Sequence, residues 1–234
     1  YGYVITTFDL GQTVQSLEVY NNKLIVLING NSEMKIFDIT ESGLSMPGIT
    51  MDLNGSGPRE FVVVDDKIYF TNWNTQDVKV FNLFNYAFED AIAMPGLPED
   101  IIFDGDYLWV AIAMNPDWSA ASEVVKINLS SKSIIATLDV GLGPQDLEVV
   151  DGEIFVSRTF YDENWIPNHG MSKFSNSFEN DDVVAVNYGA GVACSGKIIK
   201  LNNDIYRTLS EDQSPGGIAA LDDELNFIDG SKIG

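Results

Sequence analysis

Ile134–Ser157 reads IIATLDVGLGPQDLEVVDGEIFVS. An apolar segment runs into a Gly-Leu-Gly-Pro turn, a second segment follows as LEVV, and an Asp-Gly pair turns it into a third, EIFV. Glycine and proline break regular structure, and Asp-Gly between two apolar runs is a strong short-range hairpin signal. The stretch therefore predicts three consecutive antiparallel strands joined by tight turns. The same frame returns at Val4–Leu27 (VITTFDLGQTVQSLEVYNNKLIVL), Met51–Asn72 (MDLNGSGPREFVVVDDKIYFTN) and Ala93–Ile112 (AMPGLPEDIIFDGDYLWVAI). A worn copy stands at Val186–Leu209 (VNYGAGVACSGKIIKLNNDIYRTL).

The position just after each turn falls at Gln15, Arg59, Glu99, Gln145 and Ala193, so the copies are spaced 44, 40, 46 and 48 residues apart. Such a period fits four strands per copy, the size of one propeller blade. Beyond the hairpin, each copy has a variable loop, a third strand (VKVFNL, VVKINL, GIAALD) and a fourth that returns to the next glycine. Many of these strands are apolar on both faces, as expected of sheets buried between neighbours. No stretch shows a convincing 3.6-residue apolar period.

The fold expected is all-β: one domain over 1–234, a propeller of four-stranded antiparallel blades, with five recognisable at about 15–58, 59–98, 99–144, 145–192 and 193–234. Residues 1–14 then form an outer strand of the closing blade. That strand implies either a compact five-bladed ring or a larger ring of which this chain is a part. The second is preferred, because the final SKIG matches the end of a fourth strand and leaves no gap for the first.

With 35 acidic and 13 basic residues the formal charge is -22. Nucleic-acid phosphates need a basic face, so that partner class is excluded, and the charge fits a well-solvated surface. No run of 18 apolar residues is present to span a membrane as a helix. The first residue is Tyr1, as in a processed or trimmed chain. Cys194 is the one cysteine, so no intrachain disulfide forms. The motifs of serine hydrolases, zinc proteases and phosphate-binding loops are missing, and a single histidine rules out multi-histidine metal sites.

The copies, with GxGPxD at Gly141–Asp146 the clearest, resemble the YVTN and surface-layer type β-propeller repeats. They are also similar to bacterial cell-surface propellers that include cobalamin-capturing lipoproteins. Val14 stands where the pattern has proline, and the fifth junction has Val192. The resemblance covers nearly the whole chain and implies a fold, with an extracellular, cell-surface or periplasmic location.

Two groups of residues stand out. In an antiparallel four-strand blade the loop between the second and third strands shares its end with the turn between blades. Those loops are read as Asn72–Asp77, Ala113–Glu123 and Arg158–Lys173, each with a tryptophan: Trp73, Trp118 and Trp165. Indoles and phenols offer large stacking surfaces at low entropic cost. With Phe160, Tyr161, Asp162, Glu163 and His169 they form the candidate ligand-binding set, suited to a glycan, a corrinoid-like small molecule or a peptide. Alternatively the indoles fold their own loops onto the rim. His169 is read as a lone loop imidazole at the surface rather than a catalyst. Trp109, inside DYLWVAI, is read as core.

The second group follows the Gly-Pro turns: Ser16, Glu60, Asp100, Asp146 and Cys194. Converging carboxylates of Glu60, Asp100 and Asp146 offer oxygen ligands for calcium. The competing reading, and the preferred one, has each carboxylate accept backbone amides of the neighbouring turn, with no cofactor. The functions that follow are a non-enzymatic binding propeller using the aromatic loops, a cation-dependent lactonase-like hydrolase, or a purely structural interaction scaffold.

Overall fold

The computed structural model of the chain describes residues 13–177, 183–191, 196–202, 204–209 and 216–233. Among them are 21 β-strands and no helix. The strands form five antiparallel sheets, and the fold is a β-propeller with one blade per sheet. The chain divides into two compact units, Tyr1–Ala93 and Met94–Gly234.

The first unit holds two sheets. One orders β1 (Val14–Tyr20), β2 (Lys23–Ile28) and β3 (Glu33–Thr40), with β4 (Gly43–Leu44) and β5 (Ile49–Asp52) both against β3. The other orders β6 (Pro58–Val64), β7 (Lys67–Asn72) and β8 (Asp77–Asn82), with β9 (Ala87–Phe88) and β10 (Ile92–Ala93) against β8. Ile25, Leu27, Met34 and Ile36 of one sheet pack with Phe61, Ile68, Phe70 and Phe81 of the other.

The second unit holds three sheets. The first runs β11 (Leu97–Phe103), β12 (Leu108–Met114), β13 (Ala120–Asn128) and β14 (Ser133–Asp139). The next runs β15 (Pro144–Val150), β16 (Glu153–Tyr161), β17 (Pro167–Ser175) and β18 (Val184–Ala190). The last runs β19 (Ile198–Leu201), β20 (Asp204–Leu209) and β21 (Gly217–Leu221), with Ile233 bridging antiparallel to Ile218 in the fourth-strand place. Trp109, Ala111 and Val124 pack on Leu147, Ile154 and Val156, and Phe155 and Met171 pack on Ile198, Ile205 and Leu221.

The hairpin between the first two strands of a sheet works as its sequence dictates. Asn21, Asp65, Asp66, Asp151 and Gly152 take positive φ, which Asn, Asp and Gly tolerate best. Gly143 is needed for a second reason. It has φ +71, and a Cβ there would sit 1.9 Å from the Thr159 carbonyl oxygen. Its own amide donates to Ala121 O at 2.7 Å and its carbonyl accepts from Thr159 N at 2.8 Å. The Gly-Pro connection is thus stitched to the start of β13 and the end of β16. That places it at the same end of the sheets as the β12–β13 and β16–β17 turns.

Two expectations are corrected. Arg158–Lys173 is not a long loop: β16 continues to Tyr161 and β17 begins at Pro167, in unbroken register from Glu153–Ser175 to Tyr161–Pro167. Only 162–166 turn. The segment 113–123 likewise shortens to a turn at 115–119, with Met114 paired to Ala120. Polar side chains in SRTFY and PNHGMS disguise these strand ends, because the space beside them is itself polar. The expectations for Cys194, Val192 and Ala193, and for the outer strand over 1–14 as far as residue 12, lie outside the described residues.

Candidate functional site

The turns that carry the tryptophans share one backbone design. The first residue's carbonyl accepts the amide three residues on, and that fourth residue is left-handed. The bonds are Asn29 O to Ser32 N, Trp73 O to Gln76 N, Asn115 O to Trp118 N and Asp162 O to Trp165 N. The fourth residues have φ of 49, 50, 69 and 60°. A left-handed backbone is cheap for Gly or Asn and costly for a bulky residue. In the second unit, two consecutive sheets nevertheless carry tryptophan there.

Both of those indoles face solvent, Trp118 at 63% and Trp165 at 82% exposure. Tyr161 lies beside Trp165, ring centroids 6.3 Å apart, and is half exposed. The turns are held from within. Asp162 Oδ1 accepts the amides of Asn164 (2.8 Å) and Ile166 (2.9 Å), and Asp117 Oδ1 accepts the amide and hydroxyl of Ser119. These bonds hold the Asp117 carboxyl below its ordinary value. Asp162 thus holds its own turn with one carboxylate oxygen, Glu163 sits exposed in that turn, and Phe160 is half-buried in β16.

Trp73 is not their equivalent. Its amide donates to Gly57 O, as Thr159 N does to Gly143 O, so it occupies the strand-end position of Thr159. It is half-buried with the Arg59 guanidinium 4.4 Å from its ring centroid. Trp109 is fully buried against Phe174, and its Nε1 donates to Asp104 Oδ2 at 2.7 Å.

His169 is corrected most sharply. It is 2% exposed, within β17, and pairs in register with Thr159. Its Nδ1 meets Arg207 Nη2 at 3.4 Å, and its ring lies edge-on to Tyr188. A guanidinium only donates, so Nδ1 accepts and the imidazole proton sits on Nε2. Arg207 Nε donates to Ser157 Oγ at 3.3 Å, and its guanidinium carbon lies 5.6 Å from the Tyr188 ring. Tyr188 donates its hydroxyl to Leu225 O. Burial lowers the Arg207 pKa and raises that of Tyr188. Sequence reasoning passed over Arg207, yet DIYR aligned under KIYF and EIFV sets an arginine in the column of Phe70 and Val156.

The carboxylates after the Gly-Pro turns are tied to backbone. Asp100, buried, accepts Ile101 N at 2.8 Å on Oδ1 and Leu147 N at 2.7 Å on Oδ2. Asp146, also buried, accepts Ile198 N at 2.8 Å on Oδ2 and pairs with Lys197 Nζ at 2.5 Å through Oδ1. Each latches its sheet to the innermost strand of the next. Glu60, in the first unit, lies half-buried with its amide on Thr71 Oγ1. The β19–β20 register, with Ile198 opposite Arg207 as Leu147 is opposite Val156, sets Lys197 at the position of Asp146. Among the described residues no group of three His, Cys, Asp or Glu is placed to hold a metal.

No protein-family model matches the chain, and no curated protein matches it. Solved structures do. Hydrazine synthase of Kuenenia stuttgartiensis is 13% identical, with TM-score 0.66 over 96% of this chain and 72% of that one. A candidate 6-phosphogluconolactonase from Bacteroides uniformis is 12% identical, with TM-score 0.68 over 93% and 69%. The computationally designed Ika8 protein is 8% identical, with TM-score 0.58 over 89% of this chain and 57% of its own. At these identities the likeness is one of fold, which defines the class as β-propeller and goes no further. No helix among the described residues is long and apolar enough to cross a membrane.

Proposed function

We propose that the chain is a non-enzymatic binding propeller that grips a small ligand or a peptide with the aromatic turns of its second unit. One observation carries this reading: Trp118 and Trp165 are large, exposed indoles held at left-handed positions of the same turn in consecutive sheets. Strain of this kind persists where surrounding structure enforces it, and it concentrates at ligand clamps. Tyr161 widens the stacking surface, and the carboxylate of Glu163 offers acceptors to hydroxyl or amine donors. Glycans, corrinoids and peptides all present flat or edge-polar groups to such a surface. The resemblance to surface-layer repeats and the charge of -22 support a place in the periplasm or on the outside of a bacterial cell.

The fold likeness to a candidate lactonase supports a second reading, a cation-dependent hydrolase. That reading draws its cation ligands from Glu60, Asp100 and Asp146. The last two already hold backbone amides of a neighbouring strand, which weighs against it.

The test is tryptophan fluorescence under titration with glycan, corrinoid and peptide panels. The parent should respond to one class, and the double variant Trp118→Ala, Trp165→Ala should lose that response while keeping its melting temperature. A double variant that unfolds, with no panel member altering the parent's fluorescence, would defeat the proposal.

A further inference from the structure

The side of the β15–β18 sheet that faces the β19–β21 sheet is apolar through most of its depth, with Phe155 and Met171 against Ile198, Ile205 and Leu221. At the end shared with the Gly-Pro turns it becomes polar. Ser157 and Thr159 are two apart on β16 and so share this face, and His169 is the cross-strand partner of Thr159. Arg207 reaches Ser157 and His169 from β20. The register aligns Arg207 with Val26, Phe70, Val110 and Val156, the residues opposite Leu17, Phe61, Ile101 and Leu147 in the other sheets. Four sheets use an apolar side chain there and one uses a guanidinium that is 1% exposed.

A buried charge is destabilising unless it is paired and hydrogen-bonded. Among the described residues no carboxylate lies within ion-pair distance of Arg207. Its contacts are a serine hydroxyl, an imidazole nitrogen and a phenol ring. A second, independent observation concerns the same face: Thr159, 5% exposed, has its Oγ1 buried with no hydrogen-bond partner. Asp146 acts on Arg207 only at a distance and is itself taken up by Lys197 and the Ile198 amide, and on the same face the Thr159 hydroxyl has no partner. An oxyanion would satisfy both, taking charge-assisted bonds from the guanidinium and a bond from the threonine hydroxyl.

We propose that Arg207 and Thr159, with Ser157 and His169 positioning the guanidinium, form a binding site for the carboxylate or phosphate group of a small ligand. The site lies inside the second unit and does not depend on the indole platform. In a chain with 35 acidic residues it concentrates positive charge where an anion would be held by desolvated donors rather than by surface lysines.

The experiment follows the melting temperature of the whole chain with added inorganic phosphate, acetate or chloride at matched ionic strength. Phosphate or acetate should stabilise saturably, in the range of roughly 1–10 mM, and chloride should not. Arg207→Met should lose the response while melting in chloride at or above the parent temperature. Thr159→Val, which leaves the charge in place, should weaken the apparent phosphate affinity several-fold, and it reads the site whether or not the Arg207 variant folds. Equal responses to all three anions, or an unchanged phosphate response in Thr159→Val, would overturn the site. The double variant Trp118→Ala, Trp165→Ala should keep the phosphate response, so the two proposals fail separately.

Discussion

The Asp100 carboxylate accepts the backbone amide of Leu147, 47 residues further on, at 2.7 Å. Asp146 repeats the arrangement on Ile198. One side chain therefore satisfies a buried amide of the next sheet, which would otherwise have lost its water without a substitute. Asp100→Ala should cost about 1–3 kcal/mol in chemical denaturation, the usual price of an orphaned buried donor. Asp100→Asn retains an acceptor oxygen and should cost less. Millimolar calcium should leave the melting temperature of parent and Asp100→Asn unchanged. A calcium-dependent rise abolished by Asp100→Asn and Asp146→Asn would restore the cation reading.

Gly141 and Gly143 are both left-handed, at φ +88 and +71, but differ in what surrounds them. A Cβ on Gly141 would meet the end of the Arg158 side chain at 2.8 Å, a side chain that is buried and bonded to Val186 O and Asn187 Oδ1. A Cβ on Gly143 would meet backbone at 1.9 Å, and the backbone there is pinned by two hydrogen bonds to neighbouring strands. Gly141→Val should lower stability by about 1–2 kcal/mol from backbone strain and displacement of the Arg158 guanidinium, and Gly143→Val by on the order of 3 kcal/mol or more. Equal effects in urea denaturation would refute the distinction.

Glu18 and Glu148 occupy the same position on the first strands of their sheets, opposite Ile25 and Phe155. Burial pushes the Glu148 carboxyl above the ordinary 4.5, Asp146 adds to the shift and Lys200 and Lys197 oppose it, while Glu18, more exposed, shifts in the same direction. With the folded value raised, the folded state holds the proton more tightly than the unfolded chain does. Their contribution to stability is thus lost as pH rises through the folded pKa and regained on acidification toward 4.5. Glu148→Gln should raise the melting temperature at neutral pH and flatten its rise on going to about pH 5. A variant with the parent's pH profile would count against the assignment.

The four-strand unit was legible because its punctuation is local. Gly143-Pro144 and Asp151-Gly152 can do little else than turn, and LEVV and EIFV can do little else than pair across the turn. The carboxylate latches were legible as a type of contact, since an acid beside a Gly-rich turn meets free amides. The β16–β17 strand ends were hidden because Ser157, Arg158, Thr159 and His169 look like loop residues by composition. Their partners come from distant segments, Arg207 for Ser157 and His169, and Val186 and Asn187 for Arg158, a long-range fact no local pattern carries. The tryptophans illustrate the same limit. Trp73 and Trp165 both read as loop indoles, and only the hydrogen-bond pattern separates a strand-end residue packed under Arg59 from an exposed turn residue.

That separation yields the sharpest prediction. At φ +69 and +60, Trp118 and Trp165 hold positions that Asn fills with less strain, and neither indole is buried enough to offset the difference. If stability alone shaped these turns, Asn would serve better than Trp. Trp118→Asn and Trp165→Asn should each leave the melting temperature equal to or slightly above that of the parent, by up to roughly 1 kcal/mol in stability. Trp73→Asn, by contrast, removes half-buried packing and the cation–π contact with Arg59, and should destabilise. The same two turn variants should weaken binding of the ligand class that the fluorescence panels identify. A marked loss of stability in both would show that the indoles brace their own turns, and the binding surface would lose its support.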